Sequence, residues 1–191
     1  MLFRSISAVR YARENNVPIL GICYGLHMMV IEASRNMLNL KRANTSENAP
    51  DSPDPVIHIM DSQKDVSNKG GTMRLGAYPA VLASGSIAAS LYRKTKISER
   101  HRHRWEVNNS YREQLEKVGL VATGISPDNS LVEIMELKGH PWFLGGQFHP
   151  ELKSRPLDCH PLFRGLIRAA VQRRNELGVK RPKVRELRSV S

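Results

Sequence analysis

The sequence predicts an α/β domain built on a mixed central sheet, and three stretches carry that expectation. In "VPILGICYGLHMMVIEAS", residues 17–34, a short, uniformly apolar run gives way to apolar positions at helical spacing. "LVEIMEL" and "WFLGGQFH", residues 131–137 and 142–149, have the composition of two paired strands. "PLFRGLIRAAVQRRNEL", residues 161–177, is an amphipathic helix. Strands and helices that alternate along a chain bury a sheet against helical layers.

Taken in order, "MLFRSISAVRYARENN" places Leu2, Ile6, Val9 and Ala12 at a helical period with charges between them, which excludes a signal-peptide core. Pro18 opens "PILGI", too short and too evenly apolar for anything but a buried strand. After Gly25 the positions Leu26, Met29, Val30, Ala33 and Met37 continue a helix to about Leu40, with Met28 and Met29 as core filler. Residues 43–55 form a loop rich in Asn, Ser, Pro and Asp, "VIHIM" a second strand, and "NKGGTMRLG" a glycine-bounded turn and strand. "YREQLEKVGL" is a short helix, and in the last helix Leu162, Leu166, Ile167 and Val171 line one face. No internal repeat is present.

At 191 residues and 40% hydrophobic content, the chain has room for one sizeable core, expected over residues 1–175, with a basic, disordered tail over 176–191. Its two cysteines are too far apart for a disulfide framework or a zinc knuckle, which fits a reducing, cytoplasmic setting. No stretch reaches the roughly 18 uninterrupted apolar residues of a membrane span, so no membrane partner is expected. The net charge of +11 is local: the residues from Arg164 onward carry +7 and "RKTKISERHRHR", residues 93–104, carries +5, leaving −1 for the rest. The excess belongs to a tail and one loop rather than a broad basic face, so charge alone supports a nucleic-acid partner. His101 and His103 alternate with arginines in that loop, without the further ligands a metal site needs.

Two patterns carry chemistry. Cys23 stands between Gly21 and Gly25 where a strand meets a helix, the arrangement of a nucleophile elbow, in which the helix N-terminus lowers the thiol pKa and the Tyr24 N–H faces a developing oxyanion. By itself G-x-C-x-G also describes a buried structural cysteine. In "GGQFHPEL", His149 precedes Glu151 by two positions, so in an extended chain both face one side and the carboxylate can orient the imidazole. A lone H-x-E is more often a surface pair; coupled to an elbow cysteine it makes a Cys-His-Glu triad. Cys159, in "LDCHPL", reads as a loop thiol.

These residues resemble a family, the class I or triad glutamine amidotransferases: "GICYG" is similar to its nucleophile motif and "FHPE" to its histidine–glutamate motif. "GGTMRLG", "ERHRHRWEVN" and "SRP" resemble the CTP synthase branch in particular, and the resemblance covers roughly residues 8–172. It implies a mixed, mostly parallel central sheet flanked by helices. It also implies that Cys23 is the nucleophile, His149 the general base and acid, Glu151 its orienter, and L-glutamine the substrate. Glu47 in "ANTSE" matches the residue that holds the glutamine α-amino group, and Arg104 the one that pairs with its α-carboxylate. A fixed guanidinium suits a carboxylate well. No cofactor is expected in this chain; the resemblance implies a separate synthetase partner that uses ATP and magnesium to aminate UTP to CTP.

The departures are as specific. His27 stands where the family usually has glutamine, which alters a contact near the substrate. The family's glycine-rich oxyanion loop and the synthetase domain have no counterpart here, which gives the expectation of an N-terminally truncated, partial domain with weak glutaminase activity. Association into a homo-oligomer through the exposed sheet edge follows from the same reading. Two alternatives stay open: a domain that folds and binds glutamine or a partner chain without useful chemistry, and a small basic nucleic-acid-binding protein.

Overall fold

The computed structural model describes residues 2–59 and 73–179, with side chains from residue 4. Gly70–Thr72 of the "GGTMRLG" motif and the tail from Lys180 lie outside the described residues.

Helix α1 (Leu2–Glu14) leads into strand β1 (Ile19–Ile22) and helix α2 (Tyr24–Asn36). Ile6, Val9 and Ala12 of α1 are buried, as their spacing predicts, and Arg13 holds the fully buried Glu32 of α2 through Nε and Nη2 at 2.7–3.1 Å. The fold continues with β2 (Asn44–Thr45), β3 (Pro55–Ile59), β4 (Arg74–Leu82), α3 (Ile87–Tyr92), β5 (Lys96–His103), β6 (Trp105–Val107), α4 (Arg112–Lys117), β7 (Leu120–Ile125), β8 (Val132–Leu137), β9 (Phe143–Gly146) and α5 (Pro161–Glu176). Six strands form the main sheet in the order β1-β9-β8-β7-β4-β5, and β2-β3-β6 form a small second one.

The α/β class and the mixed sheet agree with expectation, but a mostly parallel sheet does not describe these strands. β1 pairs with β9 in parallel, while β9–β8, β8–β7, β7–β4 and β4–β5 are antiparallel. The reason is chain length: residues 126–131 and 138–142 join β7, β8 and β9 as hairpins, too short for a parallel crossover. β1 reaches β9 in parallel because most of the chain lies between them.

Two apolar clusters flank the main sheet. One gathers α1, α2, α4 and the small sheet around Leu26, Met28, Met29, Ile31, Ile57 and Leu115; the other packs α3 and α5 through Ala88, Trp142, Phe148 and Leu162. Of the face expected on α5, Leu162 is buried and Leu166 partly so, whereas Ile167 and Val171 are exposed. The packed face instead runs through Leu162, Gly165, Leu166 and Ala169, which leaves Ile167 and Val171 on the side turned to solvent. The segment read as a basic loop is strand β5. Its Ile97, Glu99, His101 and His103 point inward while Lys96, Ser98, Arg100 and Arg102 point outward. No helix of the described residues is long and apolar enough to cross a membrane.

Candidate active site

Cys23 follows β1 directly and is the N-cap of α2, with φ 50° and ψ −103°. That left-handed φ costs a residue with a Cβ on the order of 1–3 kcal/mol, so the surroundings must hold it. They do so through the backbone: Cys23 N–H donates to Gly146 O at 2.7 Å, and Cys23 O accepts from Leu26 and His27 at 3.0 and 3.3 Å. Gly21 lets α2 approach, because a Cβ there would lie 2.7 Å from both the Gly25 carbonyl carbon and Met29 Sδ. Gly25 contributes its backbone rather than its lack of a side chain, since a Cβ on it would meet nothing.

The thiol is not the activated one that the elbow predicts. Burial pushes Cys23 up to about 11; the Tyr24 N–H bond to the sulfur pulls the other way, and the carboxylates of Glu106, Glu151 and Glu47 add to the rise. Desolvation of the anion outweighs the helix N-terminus here.

Because Ile22 pairs with Gly146, the chain leaves β1 and β9 side by side, and Cys23 and the segment Gln147–His149 emerge at one end of the sheet. His149 N–H is anchored on Arg100 O of β5 at 2.8 Å. The imidazole Nδ1 lies 2.6 Å from Glu151 Oε1. The pair forms by a different route from the extended one expected: Pro150 opens a 3-10 turn over Pro150–Leu152, which folds Glu151 back onto the ring. With Nδ1–H donated to the carboxylate, Nε2 keeps its lone pair, and that atom is shielded from water and has no partner among the described residues.

A cleft of about 280 Å³ lies over the elbow, lined by Cys23, Tyr24, His27, Glu47, Arg104 and Trp105 among others. Five of the residues singled out in the sequence therefore meet in one space, while His149 and Glu151 are outside its lining. Glu47 stands at the rim, where desolvation raises its carboxyl pKa. Arg104, between β5 and β6, has no hydrogen-bond or ion-pair partner among the described residues. Tyr24 also tethers the loop that carries Glu47, its hydroxyl accepting from Asn48 Nδ2 at 2.7 Å.

Sequence reasoning missed Gln147. It is fully buried, its backbone held by Glu133 O and its side chain between His27 Nε2, 3.0 Å from Oε1, and Cys23 Sγ, 3.9 Å from Nε2. The available signal was one polar residue inside "LGGQFH", an otherwise apolar strand end. Also missed was a buried polar network under the cleft. Arg74 reaches Glu133 at 2.5 Å and Glu106 at 3.5 Å, and His101 Nδ1 lies 2.9 Å from His103 Nε2. Burial drives His101 down to about 3, His103 to about 2 and Glu106 up to about 8. Among the described residues no group of three or more such side chains is placed to hold a metal. Cys159 is exposed on the loop before α5.

The sequence matches the family "Glutamine amidotransferase class-I" over residues 2–169. It is 56% identical over 176 residues to a CTP synthase of Fibrobacter succinogenes, covering 91% of this chain and 31% of that protein. With a CTP synthase of Cytophaga hutchinsonii it shares 57% identity over 165 residues, 86% of this chain and 31% of the relative. The chain thus spans 31% of the length of these curated relatives. The solved glutaminase domain of Trypanosoma brucei CTPS with bound acivicin superposes with a TM-score of 0.83 at 37% identity, covering 90% of this chain and 66% of that one. The family match begins in α1, ends in α5 and takes in every residue of the cleft, and on that ground the chain belongs to the class I glutamine amidotransferases.

Proposed function

We propose that this chain hydrolyses L-glutamine to glutamate and ammonia as the glutaminase part of a CTP synthase. In that role the ammonia passes to a synthetase partner that activates UTP with ATP and magnesium. The observation that carries the reading is the cleft. It is lined by a strained cysteine, by the guanidinium of Arg104, which has no partner among the described residues, and by the carboxylate of Glu47, the charges that an amino acid's two ends require.

Cys23 is a neutral thiol at rest, so attack needs a base rather than a preformed ion pair. His149 Nε2 takes the thiol proton as sulfur bonds to the side-chain amide carbon, and the oxyanion accepts from Tyr24 N–H. Collapse breaks the C–N bond, and His149 returns the proton to the departing ammonia. Water then adds to the thioester with His149 again as base, and the C–S bond breaks to release glutamate as His149 returns that proton to Cys23 Sγ. Glu151 holds Nδ1–H throughout, which keeps Nε2 free for both transfers.

The test is glutamate release from L-glutamine, paired with covalent labelling by a diazo-ketone glutamine analogue. Labelling at Cys23 and not Cys159, with loss of hydrolysis in Cys23→Ala, is the expected result. Hydrolysis that persists in Cys23→Ala, or equal labelling of both cysteines, overturns the assignment.

A further inference from the structure

We propose that His27 and Gln147 form a relay that serves the nucleophile: the imidazole Nε2–H donates to Gln147 Oε1, and this turns the Gln147 amide nitrogen toward Cys23 Sγ as a donor for the thiolate. The inference deepens the reading of Cys23 as nucleophile and rests on it.

The geometry begins in α2. His27 lies one helical turn beyond Cys23, so both side chains stand on the face that meets the end of β9. Gln147 is the first residue past β9, with its backbone fixed on Glu133 O at 2.9 Å. A fully buried amide so placed has few partners, and among the described residues it meets His27 Nε2 and Cys23 Sγ.

Proton accounting gives the direction of the relay. Burial takes His27 down to about 4, so its ring is neutral and carries one N–H. Nδ1 is buried with no hydrogen-bond partner among the described residues. A proton on Nε2 leaves Nδ1 only an orphaned acceptor. A proton on Nδ1, with the amide reversed, would face only the Trp105 carbonyl, which makes no hydrogen bond of good geometry with it, and a poorly satisfied buried donor is the rarer and costlier defect. The first arrangement puts the amide –NH₂ toward sulfur.

Sulfur has use for that donor. Glu47 and Glu151 oppose a negative charge on Cys23, as does Glu106 once it ionises, and Tyr24 N–H is a second donor beside the sulfur. The 3.9 Å separation is that of a resting thiol contact, and such contacts shorten when the anion forms. Gln147 is thus a catalytic residue by contact with the reacting atom, and His27 a positioning residue that acts through it. The replacement of the family's usual glutamine by His27 keeps a neutral N–H at the place where Gln147 needs one.

The experiment reads Cys23 directly, without glutamine turnover. In the full chain carrying Cys159→Ser, the rate of alkylation by iodoacetamide is followed against pH, so a failure of the relay is distinguishable from an inactive glutaminase. Gln147→Met and His27→Met, which keep bulk and remove the donors, are each expected to raise the apparent pKa of Cys23 by about one unit, while His27→Gln keeps the parent value. An unchanged value in both methionine variants overturns the proposal. So does a downward shift, the result if the amide oxygen faces sulfur. Because a buried substitution can impair folding, the His27 tautomer is also read by ¹⁵N chemical shifts in the unsubstituted chain. A proton on Nε2 is expected, and a proton on Nδ1 overturns the relay.

Discussion

Gly21 and Gly145 are register partners across the parallel pairing of β1 with β9, and both lie under Met29 of α2. A Cβ on Gly21 would come within 2.7 Å of Met29 Sδ and within 2.7 Å of the Gly25 backbone; one on Gly145 would meet Met29 Sδ at 2.9 Å and Leu26 Cδ1 at 2.7 Å. This glycine pair sets how closely α2 rests on the sheet, and thereby where its N-cap, Cys23, stands.

The two positions are not equivalent. Overpacking a tight core costs about 1–3 kcal/mol, and Gly145→Ala should fall in that range because the two nearest atoms it strikes are side-chain ends, with Leu26 Cα farther off at 3.3 Å. Gly21→Ala strikes backbone at the elbow itself, so it should cost more and also suppress labelling of Cys23. Truncating both Leu26 and Met29 to Ala should relieve much of the Gly145→Ala cost in a mutant cycle and little of the Gly21→Ala cost, where the Gly25 carbonyl remains. Equal coupling in the two cycles, measured by urea unfolding, would count against the backbone clash.

Stability should depend on pH with opposite signs on its two limbs. Burial holds His27, His101 and His103 neutral at about 4, 3 and 2, against 6.5 when unfolded. Below pH 6.5 the unfolded chain takes up protons that the folded one refuses, so their contribution is full above that pH and is lost as pH falls toward 4 and below. Glu106 behaves in reverse: folded, burial and Glu133 keep its proton up to about pH 8, while unfolded it ionises near 4.5. Its contribution is full below 4.5 and is lost as pH rises toward 8. Each unmatched proton gives a slope of about 1.4 kcal/mol per pH unit. Glu106→Gln should flatten the alkaline limb and leave the acid limb in place; unfolding midpoints across pH 5 to 9 that show the parent's alkaline slope in this variant would refute it.

Much of this architecture was legible where apolar periodicity was clean, as in α1, β1, α2, β8, β9 and α5. Strand β5 was not, because its inward positions are Glu99, His101 and His103, and an alternation of polar with basic residues carries no hydrophobic signal. Its period was nonetheless present in the outward Arg100 and Arg102. The elbow could be read from Gly21 and Cys23 because a tight turn constrains residue type locally. The thiol's environment could not, since Glu106 and Gln147 reach Cys23 only through the folding of distant segments. The His149–Glu151 pairing was legible, but not the 3-10 turn that makes it.

The ion pair between α1 and α2 offers a third expectation. Glu32 is fully buried and takes Arg13 Nε and Nη2, with Asn36 Nδ2 on the same carboxylate at 3.1 Å. Removing one partner of a buried pair leaves an uncompensated charge, so Arg13→Ala should lose about 3 kcal/mol or more. Pairing it with Glu32→Leu should recover most of that loss. Thermal melting of the three variants decides it, and a double variant no better than Arg13→Ala would show that Arg13 matters through packing instead.

The last prediction separates the two ends of the substrate. If Arg104 takes the α-carboxylate and Glu47 the α-amino group, each alanine variant should weaken glutamine binding by about 1.5–3 kcal/mol, the scale of a charge-assisted contact at a rim or cleft. Loss of affinity alone does not assign the ends, whereas blocked substrates do. Parent protein should reject both glutamine α-amide, which lacks the carboxylate, and N-acetylglutamine, which lacks the ammonium. Arg104→Ala should bind glutamine and its α-amide alike while it still discriminates against the N-acetyl compound, and Glu47→Ala should show the converse. Calorimetric titration with all three compounds checks the crossing pattern. Should both variants lose discrimination against the same compound, or neither lose any, the cleft does not hold glutamine in this orientation.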